Sequence, residues 1–431
     1  MENFTSNNLF TFKKIHFVET IGPKFQNIIN ESIVLNYLRE NSNLSRAIIA
    51  KSLNISAPTV SKIIDNLIKN NFVIETEKAV SSGGKRATTL VFNKDIGFTV
   101  SVDLSKGKII IAQTDFEFNI KNKYTGFKII HTDEDILNKI IDEIKFFLGK
   151  FSIDLKNKNQ SQYFKNISIG VPANVDRFSG RIISAPLFKN WLNLNLKEHL
   201  ENVFNVPVFV ENIVNLSAIG ENHFGAGKKI SNLVFIELSN GIGAGIIIEN
   251  NLFNGSTSSA GEIGFTINKP EDLKFKYKIK GKLEKELSIE SIEKRVVKLI
   301  SEGKKTKIFE LVEGNLSEVD IDIIFRAAVE GDVLANEIIN EVVDNIAITI
   351  INIILILNPQ LVVIGGQISS VPGVEDLIIK PLKKIVKNIL PFDSPEIKIS
   401  MLGANAGILG ASFMAVDSIL GSKFPYKIAN Y

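Results

Sequence analysis

The sequence predicts an α/β protein in two parts: an N-terminal winged helix-turn-helix, then a larger domain of alternating strands and helices. Three observations lead there. At 431 residues the chain is long enough for two or three domains. Three helix-period patterns followed by a glycine-turned basic hairpin occupy residues 23–92. From Phe98 onward, short apolar runs with strand character alternate with amphipathic helical stretches. Residues 1–22 read as a loose arm ahead of the first domain.

Composition narrows the class. Apolar residues at 45% and charged residues at 23% are ordinary globular values that exclude a wholly disordered chain. The absence of cysteine removes disulfides, thiolate metal sites and a cysteine nucleophile, and it suits a cytoplasmic protein. The longest apolar run, Ile346 to Leu357, is 12 residues and contains Asn352, short of the ~20 a membrane crossing requires. It reads as a buried helix, and no membrane partner is expected. Met1 to Ile21 is broken by Asn, Thr and Lys13-Lys14 and does not read as a secretory signal. The net charge of +3 is unevenly placed: residues 1–90 hold 11 Lys and Arg against 7 Asp and Glu, which leaves the remainder near neutral.

The first domain is built in order. Ile29, Ile33, Val34, Tyr37 and Leu38 recur at helical spacing between Phe25 and Asn41. Ser45 is placed to cap a second, short helix through Leu53, and Asn54 tolerates the left-handed turn that ends it. Ser56 caps a third helix with Pro58 in its first turn, where a missing N–H costs nothing. Val60, Ile63, Ile64, Leu67 and Ile68 give this helix one apolar face. The polar side around Ser56, Ala57, Thr59, Ser61 and Lys62 has the small groups and cation that suit a recognition helix in a major groove. Phe72–Thr76 and Ala87–Phe92 read as two strands joined through Gly83-Gly84, with Lys85 and Arg86 at the tip for phosphate or minor-groove contact. The partner implied is operator DNA.

The second part begins with strands at Phe98–Val102 and Lys108–Thr114, a helix through Asp133–Phe151 and a strand at Ile167–Val171. A strand at Pro207–Val210, a hairpin from Leu233 to Ile248, a long helix from Val333 to Leu357 and a buried strand at Leu361–Ile364 follow. Five motifs lie along this stretch: IGVPANVD (169–176), PVFVEN (207–212), NGIGAGI (240–246), AGEIGF (260–265) and NPQLVVIGG (358–366). In type and order they resemble the ROK family (repressor, open reading frame, kinase). The Leu44–Ile68 segment resembles the winged helix-turn-helix of that family's sugar-responsive repressors, of the xylose type. The resemblance implies an actin-like ATPase (sugar kinase) fold of two lobes. Lobe one would run over about 93–211 with a C-terminal helix at about 405–431, and lobe two over about 212–404.

Departures from the family pattern decide what the resemblance implies for chemistry. In the family's kinases a carboxylate follows the asparagine of PVFVEN and takes the proton from the sugar hydroxyl. Here that residue is Ile213, which cannot accept one. The first phosphate turn, D-x-G-x-T in kin, is Asp103-Leu104-Ser105-Lys106-Gly107, and the Gly-Thr-Gly of the second is Ser239-Asn240-Gly241. No catalytic residue and no cofactor are expected, because phosphoryl transfer depends on the positioning and charge stabilisation those groups supply. An active ATP-dependent sugar kinase with an accessory DNA-binding domain is the alternative; its base would have to be Glu211 or Glu262.

The family's zinc ligands are also replaced: the His after GE-x-G is Phe265, and the cysteine positions fall on Phe275, Tyr277 and Lys282. Apolar packing by the aromatics and the lysine stem is expected in the metal's place. What the resemblance leaves as a sugar site is Asn212, Glu262 and Glu284, with Pro172 and Ala173 in the VPG-like turn. Asn212 could equally cap the helix that follows it. The combined expectation is a sugar-responsive repressor, a homodimer or homotetramer, taking a pentose or hexose effector.

Overall fold

The computed structural model describes residues 23–77, 88–105, 107–128, 135–153, 163–176, 179–185, 191–274, 276 and 280–420. They fall into two compact units, one up to Asn93 together with the residues from Asp417, the other Lys94–Val416.

The first unit holds α1 (Pro23–Glu40), α2 (Arg46–Leu53), α3 (Ala57–Lys69) and the antiparallel pair β1 (Val73–Glu77) and β2 (Thr88–Phe92). Both predicted caps form: the Ser45 side chain accepts from the Ile48 N–H and the Ser56 side chain from the Thr59 N–H, and Asn54 closes α2 at φ 53°. Each such cap contributes about 1 kcal/mol. Val60, Ile63, Ile64 and Leu67 bury one face of α3 against Val34, Leu35 and Leu38 of α1 and Ile49 of α2. Ile68, expected on the same face, is only half-buried. Leu44 exchanges backbone hydrogen bonds with Leu90 and so adds a short third edge to the wing sheet.

The second unit carries two five-stranded sheets. The first has the order β5-β4-β3-β6-β9, from β3 (Phe98–Asp103), β4 (Lys108–Thr114), β5 (Ile120–Lys128), β6 (Phe164–Val171) and β9 (Val208–Asn212). The short strands β7 (Asn174–Val175) and β8 (Ile182–Ser184) form a hairpin beyond β6. β3, β6 and β9 run parallel; β4 and β5 are antiparallel. Period-2 alternation gives this sheet two different faces. Val100, Val102, Ile167 and Ile169 pack with Ile140, Ile144 and Phe147 of α4 (Ile136–Lys150) and Leu200 of α5 (Leu196–Phe204). The opposite face buries Thr99, Thr114, Asn166 and Ser168. Thr114 and Ser412 hydroxyls lie 2.6 Å apart, and the Asn166 amide donates to the Ala415 carbonyl at 2.7 Å. The C-terminal helix thus returns to the first sheet through two buried hydrogen bonds, while Asn166 Oδ1 and the Ser168 hydroxyl on the same face have no partner among the described residues.

Helix α6 (Ile213–Phe224) leads to the second sheet, order β12-β11-β10-β13-β14, made of β10 (Leu233–Leu238), β11 (Ile242–Ile248), β12 (Asn251–Leu252), β13 (Leu361–Gly365) and β14 (Glu396–Ile399). Helices α7 (Lys282–Leu287), α8 (Ile289–Ser301), α9 (Lys307–Leu311), α10 (Ile321–Val329), α11 (Val333–Leu357) and α12 (Lys380–Ile389) accompany it, and α13 (Ala406–Leu420) closes the described chain. Two helical stretches, Val333–Leu357 and Gly403–Leu420, are long and apolar enough to cross a membrane, which corrects the 12-residue estimate made from the run alone. One side of α11 is nevertheless core: Ile338, Val342, Ile346, Ile350 and Ile354 share a buried cluster with Val362 and Ile364 of β13. Each such side chain stabilises by roughly 1.5–3 kcal/mol over its exposed state. The helix predicted from Asp133 begins at Ile136, residues 129–134 lying outside the described set.

Candidate functional site

Two faces carry the predicted site residues, one in each unit. On α3, Ser56, Ala57 and Lys62 are exposed and Thr59 and Ser61 half-buried, all on the side away from the apolar core. The far end of the same surface is tied inward. Arg46 of α2 donates to Asp65 at 2.9 Å and to Glu75 of β1 at 2.7 Å, while the Asn66 amide donates to Glu31 of α1 at 3.0 Å. Each exposed ion pair is worth at most about 1 kcal/mol. The Asp65 carboxylate, which breaks the basic character of α3 in sequence, shares the Arg46 guanidinium with Glu75 and is only partly offset by it. The N-terminal half of α3 is left as the open surface. Lys85 and Arg86 lie outside the described residues.

In the second unit Asn212 ends β9 and caps α6, its Oδ1 accepting from the Val214 N–H at 2.8 Å. The capping role weighed in sequence therefore holds, and the amide Nδ2 is the group it has left to donate. Glu211, the other candidate base, is buried, and its Oε1 accepts from the Asn212 N–H at 2.8 Å and the Asn215 amide at 2.9 Å. Ile213 is buried, its Cδ1 filling the space beside Gly170 and Gly407. The position of the family's base is thus a core side chain.

Glu262 stands on the turn after β12 and Glu284 in the first turn of α7. Glycines join the two elements: a methyl at Gly281 would overlap the Gly264 carbonyl, and one at Gly264 would lie 3.2 Å from a Glu284 carboxylate oxygen. Much of the Glu262 side chain opens to solvent, yet the surrounding walls desolvate its charge and push its pKa up, with a hydrogen bond from Asn174 pulling it back. Glu284 is 9% exposed. Burial pushes its pKa up to about 7; the Lys280 ammonium opposes and the Glu262 charge adds to the rise. Asn174 was not picked out in sequence. It follows the VPG-like turn on β7 and puts a first-sheet amide on a carboxylate borne by the second-sheet lobe. The signal was its position, an amide between two apolar residues two places after Pro172. Ala173 is 4% exposed and belongs to the same buried cluster as Val171 and Val175 of the first sheet. Pro172 is half-buried in the turn.

The turns that cradle phosphate in the family are occupied by their own side chains. Asp103 is buried, and its Oδ1 accepts from the Ser105 N–H at 2.8 Å and the Ser105 hydroxyl at 2.6 Å. The Ser239 hydroxyl donates to Glu237 at 2.6 Å and accepts from the Gln367 N–H at 2.8 Å. The Asn240 Oδ1 accepts from the Glu290 N–H at 3.0 Å in the first turn of α8. The hydroxyls of Ser105 and Ser239 are thus spent on carboxylates of their own turns.

The zinc position is equally changed. Phe265, Phe275, Tyr277 and Lys282 stand where kin carry His and Cys, and none offers the imidazole or thiolate that zinc takes, so these residues do not fit zinc. Most of the expected apolar packing falls outside the described residues. Phe265 is 36% exposed, Phe275 and Tyr277 lie outside the described residues, and the Lys282 ammonium sits 3.3 Å from Asp272 and 2.7 Å from Glu286.

Residues 99–418 match the ROK family and residues 33–74 a winged helix-turn-helix DNA-binding family. The chain belongs to the ROK family. It is similar to the xylose repressor of Caldicellulosiruptor bescii, 32% identical over 397 residues that cover 91% of this chain and 96% of that protein. Among solved structures it is similar to a ROK family transcriptional regulator described as a homologue of the Escherichia coli Mlc protein (TM-score 0.78, 24% identity, 92% of this chain and 96% of the other). A Streptomyces griseus ROK glucokinase solved with glucose and AMPPNP covers 74% of this chain and 99% of its own (TM-score 0.62, 24% identity). With both a DNA-binding domain and a ROK domain, and relatives named repressors along nearly its whole length, the chain is a DNA-binding transcriptional repressor of the family's sugar-responsive kind.

Proposed function

We propose that this repressor binds a two-fold operator in the cytoplasm as a homodimer or a pair of dimers, and that an aldose, xylose first among candidates, enters the cleft at Asn174, Asn212, Glu262 and Glu284. We further propose that it transfers no phosphate. The carrying observation is the contrast within one domain: hydroxyl-binding groups remain at the cleft, while the base position is a buried isoleucine and the phosphate turns are closed by Ser105, Ser239 and Asn240. Ser56, Thr59, Ser61 and Lys62 read bases and phosphates, assisted by Lys85 and Arg86. Because effector and operator act on one molecule, their effects on each other's affinity are equal in size.

The test is fluorescence anisotropy on duplexes selected from a randomised pool, with and without sugars, beside a coupled assay with ATP and the same sugars. Operator affinity that shifts with xylose, and no turnover above background, support the reading. Turnover, or no sequence preference, overturns it. Lys62→Ala is expected to weaken operator binding about tenfold and to flatten the log K against log salt slope by about one per bound subunit, as one lost phosphate contact should. Xylose affinity measured by calorimetry stays unchanged in that variant, whereas Glu262→Gln has the reverse pattern.

A further inference from the structure

We propose that the Asp272–Lys282 ion pair, braced by Glu286, is the staple that holds Glu284 in the effector cleft, doing with charge what kin do with a metal. Asp272 lies in the middle of a 3-10 turn, Pro270–Lys274, and is 4% exposed, with one carboxylate oxygen facing Lys282 at 3.3 Å. Its other oxygen, Oδ2, is buried without a hydrogen-bond partner. A carboxylate this enclosed is costly unless a cation stands against it, so removing the lysine is worse than never having had the pair. Lys282 opens α7, and its second contact, to Glu286 at 2.7 Å, lies one turn further on the same helix. The ammonium therefore locks the start of α7 to the segment ten residues upstream. Glu284 is two residues beyond it, and its backbone carbonyl accepts from the Ser288 N–H at 3.0 Å, which carries the position into α8. The Gly281–Gly264 contact fixes the other side of this turn against the strip bearing Glu262. Two anchors, one charged and one steric, thus define where the second carboxylate of the cleft stands. Lys282 is a positioning residue.

The assignment rests on the reading of Glu284 as an effector contact, and the experiment separates the two. Hydrogen–deuterium exchange on the full chain without sugar reads the staple directly. Lys282→Met is expected to raise exchange over residues 280–290 at least tenfold, Asp272→Asn to do the same, and Lys282→Arg to restore protection. Xylose affinity falls at least tenfold in Lys282→Met and recovers in Lys282→Arg, while operator binding without sugar is retained. Unchanged exchange in Lys282→Met overturns the staple, as does loosening of the wild type by EDTA, which would mean a metal holds the segment. If exchange responds as expected but Glu284→Gln binds xylose like wild type, the staple stands and the role of Glu284 as a sugar contact falls.

Discussion

Replacing Gly261 by alanine is expected to abolish effector binding while leaving operator recognition in place. Gly261 has φ +88°, a region L side chains rarely adopt, and a methyl there would overlap the backbone carbonyl of Ala244. That carbonyl belongs to β11, whose Ala244 N–H donates to the Gly261 carbonyl at 2.7 Å. Backbone cannot yield as a side-chain tip can, so the turn must lift from the strand. Strain and overpacking of this kind cost roughly 2–5 kcal/mol together. Glu262 is the next residue and rides on the displaced turn. Calorimetry should find xylose binding weakened more than a hundredfold, and a reporter gene should no longer respond to sugar. Gly243→Ala is the matched control, since a methyl there meets nothing nearer than 3.5 Å and the backbone needs no positive φ. It should bind sugar within about threefold of wild type. Equal behaviour of the two variants would refute the claim that this turn places Glu262.

How far the sequence carried the fold depended on whether the deciding contact was local. The α3 pattern was legible because its serine cap and four buried apolar residues sit within 12 residues, Ser56 to Leu67, and need no distant partner. α11 was legible because its apolar positions run for 25 residues. β5 was missed: it pairs with β4 alone at the sheet edge, and its lysines alternate with half-buried residues. Lysines on an edge discourage pairing with other chains but hide the strand from a search for apolar runs. α5 escaped for a related reason, since only Leu196, Leu200 and Phe204 mark its buried side. In the candidate site, Asn212 and the two glutamates were found because they stand within recognisable motifs. Asn174 was not, because its meaning lies in Glu262, 88 positions away. The Asp272–Lys282 pair was not seen in sequence because Asp272 gives no sign there that it is buried opposite a lysine ten positions away. Motif reading finds what a segment carries and misses what folding brings to it.

The affinity for sugar is expected to rise with pH between about 6 and 8 in the wild type and to be flat over that window in Glu284→Gln. Burial holds the Glu284 carboxyl up to about 7, against the pull of Lys280 and with the help of Glu262. Sugar hydroxyls donate hydrogen bonds, and a carboxylate accepts them better than a carboxylic acid does, so bound sugar favours the ionised form. Binding below about pH 7 must then release a proton, and the limiting slope is about tenfold in affinity per pH unit for one proton released. The ligand-free protein responds with the opposite sign. A carboxyl whose pKa is higher folded than unfolded binds more protons in the folded state, so between its ordinary value and about 7 stability falls as pH rises. Melting of the sugar-free chain should therefore move up on acidification from about pH 8 to about pH 5, by less in Glu284→Gln. Asp115, pushed up by burial but brought low overall by hydrogen bonds from Asn119 and Lys121 and by the Lys121 charge, works against this only below that window. Calorimetry in two buffers of different ionisation enthalpy counts the released proton. An affinity that falls with rising pH would show that Glu284 holds the sugar as a neutral donor, and would overturn its assignment as the hydroxyl acceptor.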